Sequence, residues 1–438
     1  MRTISFHTLG CKMNQAETLR MEETAALLGL KKVNFKGNTD VAVINTCTVT
    51  QIADKKSRQT IRSLLNRCKK LIITGCFINI NQDAENIFNS DKIIFLRYKE
   101  GFEETLSSLL NTSPDAEASA PSSSVIRHSS SVIRHSSSVI RHSSSAHPRI
   151  RANLIIQNGC NNFCSYCIVP YARGREVSYP TDDILSQARN YANRGIRELV
   201  LTGINTGANK DLPQILRRVS DIEDILRIRI SSIEPLNITD DLLNEIAGNK
   251  KACRHLHIPL QSGDDNVLKA MNRKYSCDEY AKLIERIRNM VPGMAVSTDI
   301  IAGFPGETEK QFKNTIKLCR DIGFSRIHVF RFSPRPGTPA AVMKDQVPSK
   351  EISARAEVMK SLRSELMLNF HKRLAGRTED VLIEPRDKKT GRLEGLTSDY
   401  VRVFTSGADG LIGRVVPVHI KKAGIEAVEG QSLRGGTK

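Results

Sequence analysis

The stretch "ANLIIQNGCNNFCSYC", residues 152–167, opens as a short apolar strand and runs directly into three cysteines, Cys160, Cys164 and Cys167. The spacing C-x3-C-x2-C offers three soft ligands, with no histidine among them and no fourth ligand nearby. Structural zinc sites are usually closed by four ligands. A cubane iron–sulfur cluster accepts three thiolates and leaves one iron open to an outside ligand. The pattern of the chain beyond this strand decides between these two chemistries.

After it, strand-like and helix-like segments alternate to about residue 335. The strands are "ELVLTG", "LRIRISS", "HLHIPLQ", "VSTDIIAG" and "IHVFRFS", and amphipathic stretches such as "DDILSQARNYANRG" and "CDEYAKLIERIRNM" separate them. Six βα units predict a partial barrel with its functional groups at the carboxyl ends of the strands. Polar residues gather at those ends: Thr202, Gly203 and Asn205, then Ser232 and Glu234, His257 and Gln261, Asp299, and Ser333 and Arg335.

Ahead of this region, "TISFHTLGC", "VAVINTC" and "LIITGC" each read as a buried strand that ends in a cysteine. The pattern predicts a small parallel sheet. Ligands bind beyond the carboxyl ends of such strands, where Cys11, Cys47 and Cys76 converge although they are far apart in sequence. Cys68, read on an apolar helix face, and Cys253, Cys277 and Cys319, which share no setting, are expected to be small buried hydrophobes.

The chain has 438 residues, 39% hydrophobic, enough for two to four domains. No stretch is apolar enough to span a bilayer, and "MRTISFHTLG" does not read as a signal peptide, so a cytoplasmic protein is expected. In that compartment ten cysteines point to metal or redox chemistry rather than disulfides. The net charge of +18 is concentrated in three segments: residues 54–70, 122–151 and 326–373. In the first, Lys55, Arg58, Arg62 and Lys69 are placed on one helical face opposite Ile61, Leu64, Leu65 and Cys68. Local basic patches of this kind fit a nucleic-acid footprint. Between the two α/β regions, "SSSVIRH" recurs three times within a Ser/Ala/Pro-rich segment and reads as a disordered linker, since adjacent Val and Ile make no helical stripe.

The motifs "TLGCKMNQAE", "NTCTVT", "TGC", "QNGCNNFCSYC", "SSIEP", "HIPLQSGDDNVLKAMNRKY", "TDIIAGFPGET" and "FRFSPRPGTPA" together resemble the radical S-adenosylmethionine methylthiotransferases over nearly the whole chain. The resemblance implies four segments. Residues 1–111 form an amino-terminal methylthiotransferase domain, 112–148 the linker, 149–373 a partial (β/α)6 barrel, and 374–438 a small RNA-binding β-barrel called the TRAM domain. In that last segment "EDVLIEP", "YVRVFT" and "GLIGRVVPVHIKKAG" read as strands, and the basic helix before it is expected to help hold RNA.

The same resemblance implies two [4Fe-4S] clusters, one on Cys160, Cys164 and Cys167 and an auxiliary one on Cys11, Cys47 and Cys76. The open iron of the first takes S-adenosylmethionine, with Gly203, Asn205, Ser232, Glu234 and Gln261 as expected cofactor contacts, while Gly303 and Gly306 allow close backbone approach. Chemistry is carried by the clusters and the cofactor, with no protein acid or base assigned. Lys55, Arg58, Arg62, Arg335 and Arg373 are the expected tRNA contacts. "TLGCKMNQAE" and "TVTQIADKKSRQTIR" look like the branch acting on N6-threonylcarbamoyladenosine at tRNA position 37. Other branches act on isopentenyladenosine or a ribosomal-protein aspartate; a non-enzymatic RNA-binding iron–sulfur protein is the alternative from a different class. A monomer served by an electron donor such as flavodoxin or ferredoxin completes the expectation.

Overall fold

The computed structural model describes residues 2–34, 37–111 and 149–433. The repeat and its linker at 112–148 lie outside the described residues. The chain divides into two compact units, Met1–Ser143 and Ser144–Lys438.

Among the described residues of the first unit, five parallel strands form one sheet. They are β1 (Thr3–Thr8), β2 (Lys31–Lys32), β3 (Thr39–Thr46), β4 (Cys68–Gly75) and β5 (Ile93–Leu96), in spatial order β2-β1-β3-β4-β5. Helices α1 (Lys12–Leu27), α2 (Gln51–Leu65), α3 (Cys76–Ile80), α4 (Ala84–Ile87) and α5 (Phe102–Asn111) connect and flank them. The central strand β3 is buried along nearly its whole length because both faces are covered, and its middle, Val41–Ile44, is an unbroken apolar run. Ala42 and Ile44 pack with Ile61, Leu64 and Phe77 on one side. Val41 and Val43 pack with Met21, Ala25 and Phe102 on the other, the two-residue alternation of a strand.

One expectation is corrected here. Helix α2, capped by Thr50, whose hydroxyl accepts from Ala53 N at 3.1 Å, stops at Leu65. Cys68 and Lys69 therefore lie on β4, where Cys68 is buried opposite Thr39 and Lys69 pairs with Asp40 at 2.9 Å.

In the second unit, β6 (Arg151–Ile155) is followed by the short antiparallel pair β7 (Gln157–Asn158) and β8 (Val177–Ser178), with α6 (Val169–Arg173) between them. Then α7 (Thr181–Asn193), β9 (Glu198–Thr202), α8 (Leu212–Ser220), β10 (Arg227–Ile230), α9 (Asp240–Gly248) and β11 (His255–His257) alternate. After α10 (Asp265–Ala270) come α11 (Cys277–Met290), β12 (Ala295–Ala302), α12 (Glu309–Ile322), β13 (Arg326–Arg331) and the long α13 (Ser349–Lys372). The strands β6, β9 and β10 form one parallel ladder and β11, β12 and β13 another. Isolated parallel bridges at Ile228–Ala252 and Ser232–His257 carry the order across from β10 to β11. Six parallel strands thus run in chain order around a partial barrel with helices outside. Reciprocal capping boxes, Ser276 with Glu279 and Thr308 with Gln311, start α11 and α12. Cys277, expected to be buried, is only partly so at the start of α11.

The carboxyl-terminal strands β14 (Thr378–Glu384), β15 (Leu393–Thr397), β16 (Arg402–Thr405), β17 (Val415–Ala423) and β18 (Val428–Ser432) close a small barrel around Val381, Ile383, Val403, Val416, Val418 and Ile420. Its β15–β16 turn plugs the amino end of the partial barrel. Arg229 donates to Thr397 O at 3.3 Å and Ser398 O at 3.2 Å, and Arg254 N donates to Ser398 Oγ at 2.9 Å. Tyr400 lies with its ring 5.0 Å from His255 and 4.4 Å from the Arg229 guanidinium. Arg151, Glu198, Arg227 and His255 are the first residues of their strands, so the small barrel closes the end opposite the one where the cysteines stand.

Candidate functional site

The three-cysteine loop is held from several directions. Gly159 has φ +71°, and a Cβ there would sit 1.9 Å from Arg175 O, so only glycine lets the loop start against the chain beyond α6. Cys160 N donates to Gly174 O at 3.2 Å, Ser165 N to Met271 O at 3.0 Å and Ser165 Oγ to Ala270 O at 2.8 Å. Asn272 Nδ2 donates to Phe163 O at 2.9 Å, fixing Phe163 in a left-handed conformation at φ 46°. Such strain persists where surrounding contacts over-determine it, commonly at functional sites.

Cys160, Cys164 and Cys167 are all free thiols. Burial, joined by repulsion from the neighbouring thiolates, pushes Cys160 above its ordinary range and Cys167 up to about 12. A cation among them would reverse that, since coordination deprotonates a thiol. Among the described residues no three His, Cys, Asp or Glu side chains gather closely enough to hold one metal ion. A cubane asks for less convergence, because each thiolate binds a different iron, and the donor set here, three thiols and no fourth, fits it.

Beside the loop stands a residue that the sequence patterns do not single out. Arg273 is 8% exposed, and its Nη1 lies 3.2 Å from Cys164 Sγ and 3.2 Å from Glu234 Oε1. Its Nη2 pairs with the other Glu234 oxygen, and its Nε donates to Tyr275 OH at 2.9 Å. The Tyr275 hydroxyl in turn donates to Pro259 O at 2.9 Å. Glu234, which also raises the Cys160 thiol, therefore stands at the cysteine loop, held by a buried guanidinium.

The other expected cofactor contacts divide by what their side chains already do. Asn205 is buried with its amide engaged, Nδ2 donating to Asn237 Oδ1 at 2.7 Å and Oδ1 accepting from Glu234 N at 3.2 Å, so it positions Glu234. Gly203 lies against Gln157, whose Oε1 would be 2.8 Å from an added Cβ. Gln157, likewise not singled out by sequence, accepts from Ile204 N at 2.9 Å and Asn205 N at 3.0 Å while donating to Gly159 O at 2.8 Å, which ties the cysteine loop to the end of β9. Ser232 and Gln261 make no side-chain hydrogen bond among the described residues, and Gln261 is held left-handed at φ 69°. Gly303 and Gly306 both have positive φ, and a Cβ on Gly303 would meet Ile352 Cγ1 at 2.5 Å.

In the first unit, Thr46 pairs with Gly75 and Thr8 with Asn45, so Cys47 and Cys76 follow adjacent strand ends and Cys11 lies just beyond the next. A Cβ on Gly10 would lie 2.9 Å from Cys47 Cβ, and one on Gly75 would lie 2.4 Å from Thr46 O. These two glycines let the three strand ends approach. Cys11 occupies the N-cap of α1 without a side-chain cap bond and is exposed, whereas Cys47 and Cys76 are buried. This trio of free thiols also fits a cluster held by three thiolates.

The expected RNA contacts are more scattered. Lys55 and Arg62 are exposed on α2, and Arg373 is exposed at the end of α13. Arg58 is paired with Asp54 at 3.0 Å and lies 4.9 Å from the centre of the Phe77 ring. Arg335 is 6% exposed and so departs from the surface position expected of it. The loop turns back there, with Thr338 N and Oγ1 bonding Arg335 O at 3.0 and 2.7 Å.

Among the described residues no helix is long and apolar enough to cross a membrane. Family models match three segments: the radical SAM superfamily at 154–319, "Uncharacterized protein family UPF0004" at 3–96 and the TRAM domain at 372–435. The chain is 35% identical to the threonylcarbamoyladenosine tRNA methylthiotransferase MtaB of Bacillus subtilis, over 99% of this chain and 97% of that one. It is 33% identical to the MtaB of Thermotoga maritima, over 98% and 96%. The tRNA-2-methylthio-N(6)-dimethylallyladenosine synthase of Endomicrobium trichonymphae is also 33% identical, over 97% and 98%. Among solved structures, the radical S-adenosylmethionine methyltransferase TsrM of Kitasatospora setae shares the fold with a TM-score of 0.56 at 13% identity, over 78% of this chain and 77% of that one. On the strength of these near full-length relatives, the chain belongs to the radical S-adenosylmethionine tRNA methylthiotransferase family, enzymes that use S-adenosylmethionine and an iron–sulfur cluster.

Proposed function

We propose that this methylthiotransferase converts N6-threonylcarbamoyladenosine at position 37 of tRNA to its 2-methylthio derivative, using two [4Fe-4S] clusters. The observation that carries the substrate is the 35% identity over 99% of the chain to a relative named for that nucleoside. The second cluster is supported by the convergence of Cys11, Cys47 and Cys76 at neighbouring strand ends.

When bound, the clusters and S-adenosylmethionine supply a deoxyadenosyl radical for the C2–H bond of adenine and a methylated sulfur to replace the hydrogen. The protein's own part is placement. Cys160, Cys164 and Cys167 hold one cluster on a loop pinned by Ser165 and Asn272. Glu234, oriented by Arg273 and Asn205, meets the ammonium group of the cofactor, and the unengaged side chains of Ser232 and Gln261 meet its carboxylate and ribose. Lys55, Arg62 and Arg373 offer cations to RNA phosphates, and the small barrel adds an RNA surface. We read the enzyme as a cytoplasmic monomer that receives electrons from a flavodoxin or ferredoxin.

Mass spectrometry of tRNA nucleosides from a strain lacking the gene tests the substrate. Loss of 2-methylthio-threonylcarbamoyladenosine with accumulation of its precursor is expected. A second reading, action on the dimethylallyl nucleoside, is favoured by the 33% identity to a synthase of that product. Loss of the methylthio-dimethylallyl nucleoside instead would establish that reading and overturn ours.

A further inference from the structure

We infer that Arg273 and Glu234 form a charge pair that sets the reduction potential of the cluster on Cys160, Cys164 and Cys167, the guanidinium raising it and the carboxylate lowering it. This role requires a [4Fe-4S] cluster on those cysteines, as proposed above, and is independent of which tRNA nucleoside is the substrate. Arg273 follows α10 and reaches the cysteine loop from the side. Its Nη1 donates to Cys164 Sγ at 3.2 Å, a bond that a thiolate accepts more strongly than a thiol. Nη1 also lies 3.2 Å from Glu234 Oε1, and Nη2 takes the other oxygen of that carboxylate. Nε donates to Tyr275 OH at 2.9 Å, and the Tyr275 hydroxyl reaches Leu260 O at 3.1 Å. All three guanidinium nitrogens thus have fixed partners, and the group cannot turn away from the sulfur.

Burial makes these charges count. The Arg273 side chain is 3% exposed and that of Glu234 20%, so water and salt screen neither as they would at the surface. Both charges are felt at the cysteines. Burial dominates the Cys160 and Cys167 thiols and raises both, but beneath it Glu234 pushes Cys160 further up and Arg273 pulls Cys167 down. Glu234 is itself held in place, since its N–H donates to Asn205 Oδ1 at 3.2 Å.

The potential of an iron–sulfur cluster depends on its net charge, on hydrogen bonds to its sulfurs and on its exposure to solvent. Reduction adds one negative charge to a group already held by thiolates. A buried cation that also donates to a ligating sulfur stabilises that charge, and a buried carboxylate opposes it. Arg273 alone would favour the reduced form too strongly for the electron to be passed on, and Glu234 alone would make the electron hard to accept. Side by side they leave an intermediate potential. A merely structural role predicts something different: loosening the loop from either side admits water and moves the potential in one direction for both residues.

The test uses the full chain carrying C11A, C47A and C76A, reconstituted anaerobically with iron and sulfide, so that the signal comes from the remaining trio. Potentiometry followed by electron paramagnetic resonance, without S-adenosylmethionine, reads only the loaded fraction. R273M in this background should shift the reduction equilibrium towards the oxidised form about tenfold, about 59 mV for a one-electron couple. E234Q should shift it towards the reduced form by a similar factor, and R273M/E234Q should return close to the parent value. R273K, which keeps the charge and loses the fork, should move in the R273M direction by less. Shifts of R273M and E234Q in the same direction, or no shift in either, would overturn the charge pair. If R273M does not load, E234Q and R273K decide: opposite shifts uphold the pair and any other result overturns it. A chain lacking Cys11, Cys47 and Cys76 that holds no cluster under conditions that load the wild type would instead remove the cluster assignment itself, and the pair with it.

Discussion

Arg273 and Cys164 are 109 residues apart in sequence, yet the guanidinium Nη1 lies 3.2 Å from the thiol sulfur while the same group grips Glu234. One buried cation thus ties the cysteine loop to the acid proposed to meet the cofactor. Removing it leaves Glu234 without its partner and the Tyr275 hydroxyl without its donor. We expect R273M to lose about 3 kcal/mol of stability and to release iron more readily from the barrel site. R273K, which keeps the charge but not the fork, should lie between. Chemical denaturation with parallel iron analysis checks this; a variant matching the wild type in both would dissociate Arg273 from the site.

Gly10 provides a selective way to disturb the other cysteine trio. It adopts φ +107°, and an added methyl would meet Cys47 Cβ at 2.9 Å and Cys47 Sγ at 3.1 Å. G10A should displace Cys47 relative to Cys11 and lower the iron content by about half, leaving Cys160, Cys164 and Cys167 loaded. Iron content equal to wild type after reconstitution would sink the auxiliary-cluster assignment of these residues. A fall to zero would show that the two sites are not independent.

The strand and helix alternation of both α/β regions was legible because parallel strands covered on both faces read as short apolar runs, as "VAVINT" and "LIITG" do. The placement of Cys11, Cys47 and Cys76 at neighbouring strand ends was legible for a related reason, since topology fixes where strand ends go. What escaped was decided by tertiary contact. Arg273 falls inside the motif at 257–275, but nothing in one dimension places it against Cys164 and Glu234. The strands β15, "LEGLT", and β18, "VEGQS", are short and half polar because they close a small barrel with one face in water. The basic pattern around α2 continues past Asn66, so Cys68 and Lys69 read as helical although the chain enters β4 there. Arg335 sits among prolines and glycine, which reads as an exposed loop, but that loop folds inward.

The contact between the two barrels of the second unit makes the small one more than an RNA appendage. Arg229 is 1% exposed and bonds Glu198, itself fully buried, at 3.2 Å as well as the carbonyls of Thr397 and Ser398. Burial alone would raise the Glu198 carboxyl, yet Arg229 and Arg151 hold it below its ordinary range. R229M should destabilise the second unit by about 3 kcal/mol, because it strands a buried carboxylate with Arg151 as its remaining close partner. E198Q combined with R229M should recover part of the loss. Thermal unfolding of the single and double variants measures this, and additive losses would refute a coupled pair.

Asp399 in the same turn carries a pH signature. Burial, with Glu379 nearby, raises its carboxyl from 3.8 to about 7 despite Arg229, Arg254 and Arg227. A raised carboxyl means that the folded state keeps a proton the unfolded chain has already lost. Its contribution is full below about pH 4 and declines as pH rises to about 7, above which the penalty is constant. D399N, neutral throughout, should be more stable than wild type at pH 8 by on the order of 2 kcal/mol, and the gap should close towards pH 4. Urea unfolding across that range tests it; a gap that does not vary with pH would mean that Asp399 is ionised in the fold.

The exposed face of α2 tests the RNA reading directly. Lys55 and Arg62 reach solvent, whereas Arg58 is committed to Asp54 and Phe77, so the first two carry any phosphate contact made from this face. Charge reversal in K55E/R62E should lower tRNA affinity about tenfold or more at low salt and reduce the slope of log K against log salt by roughly 2. Because neither side chain packs in the core, thermal stability should stay at the wild-type value. R58A should instead lose stability with little change in the salt slope, through its ion pair and its place beside Phe77. If the double reversal leaves tRNA affinity untouched across salt concentrations, the basic face of α2 is a solvated surface and the RNA path must run over other cations.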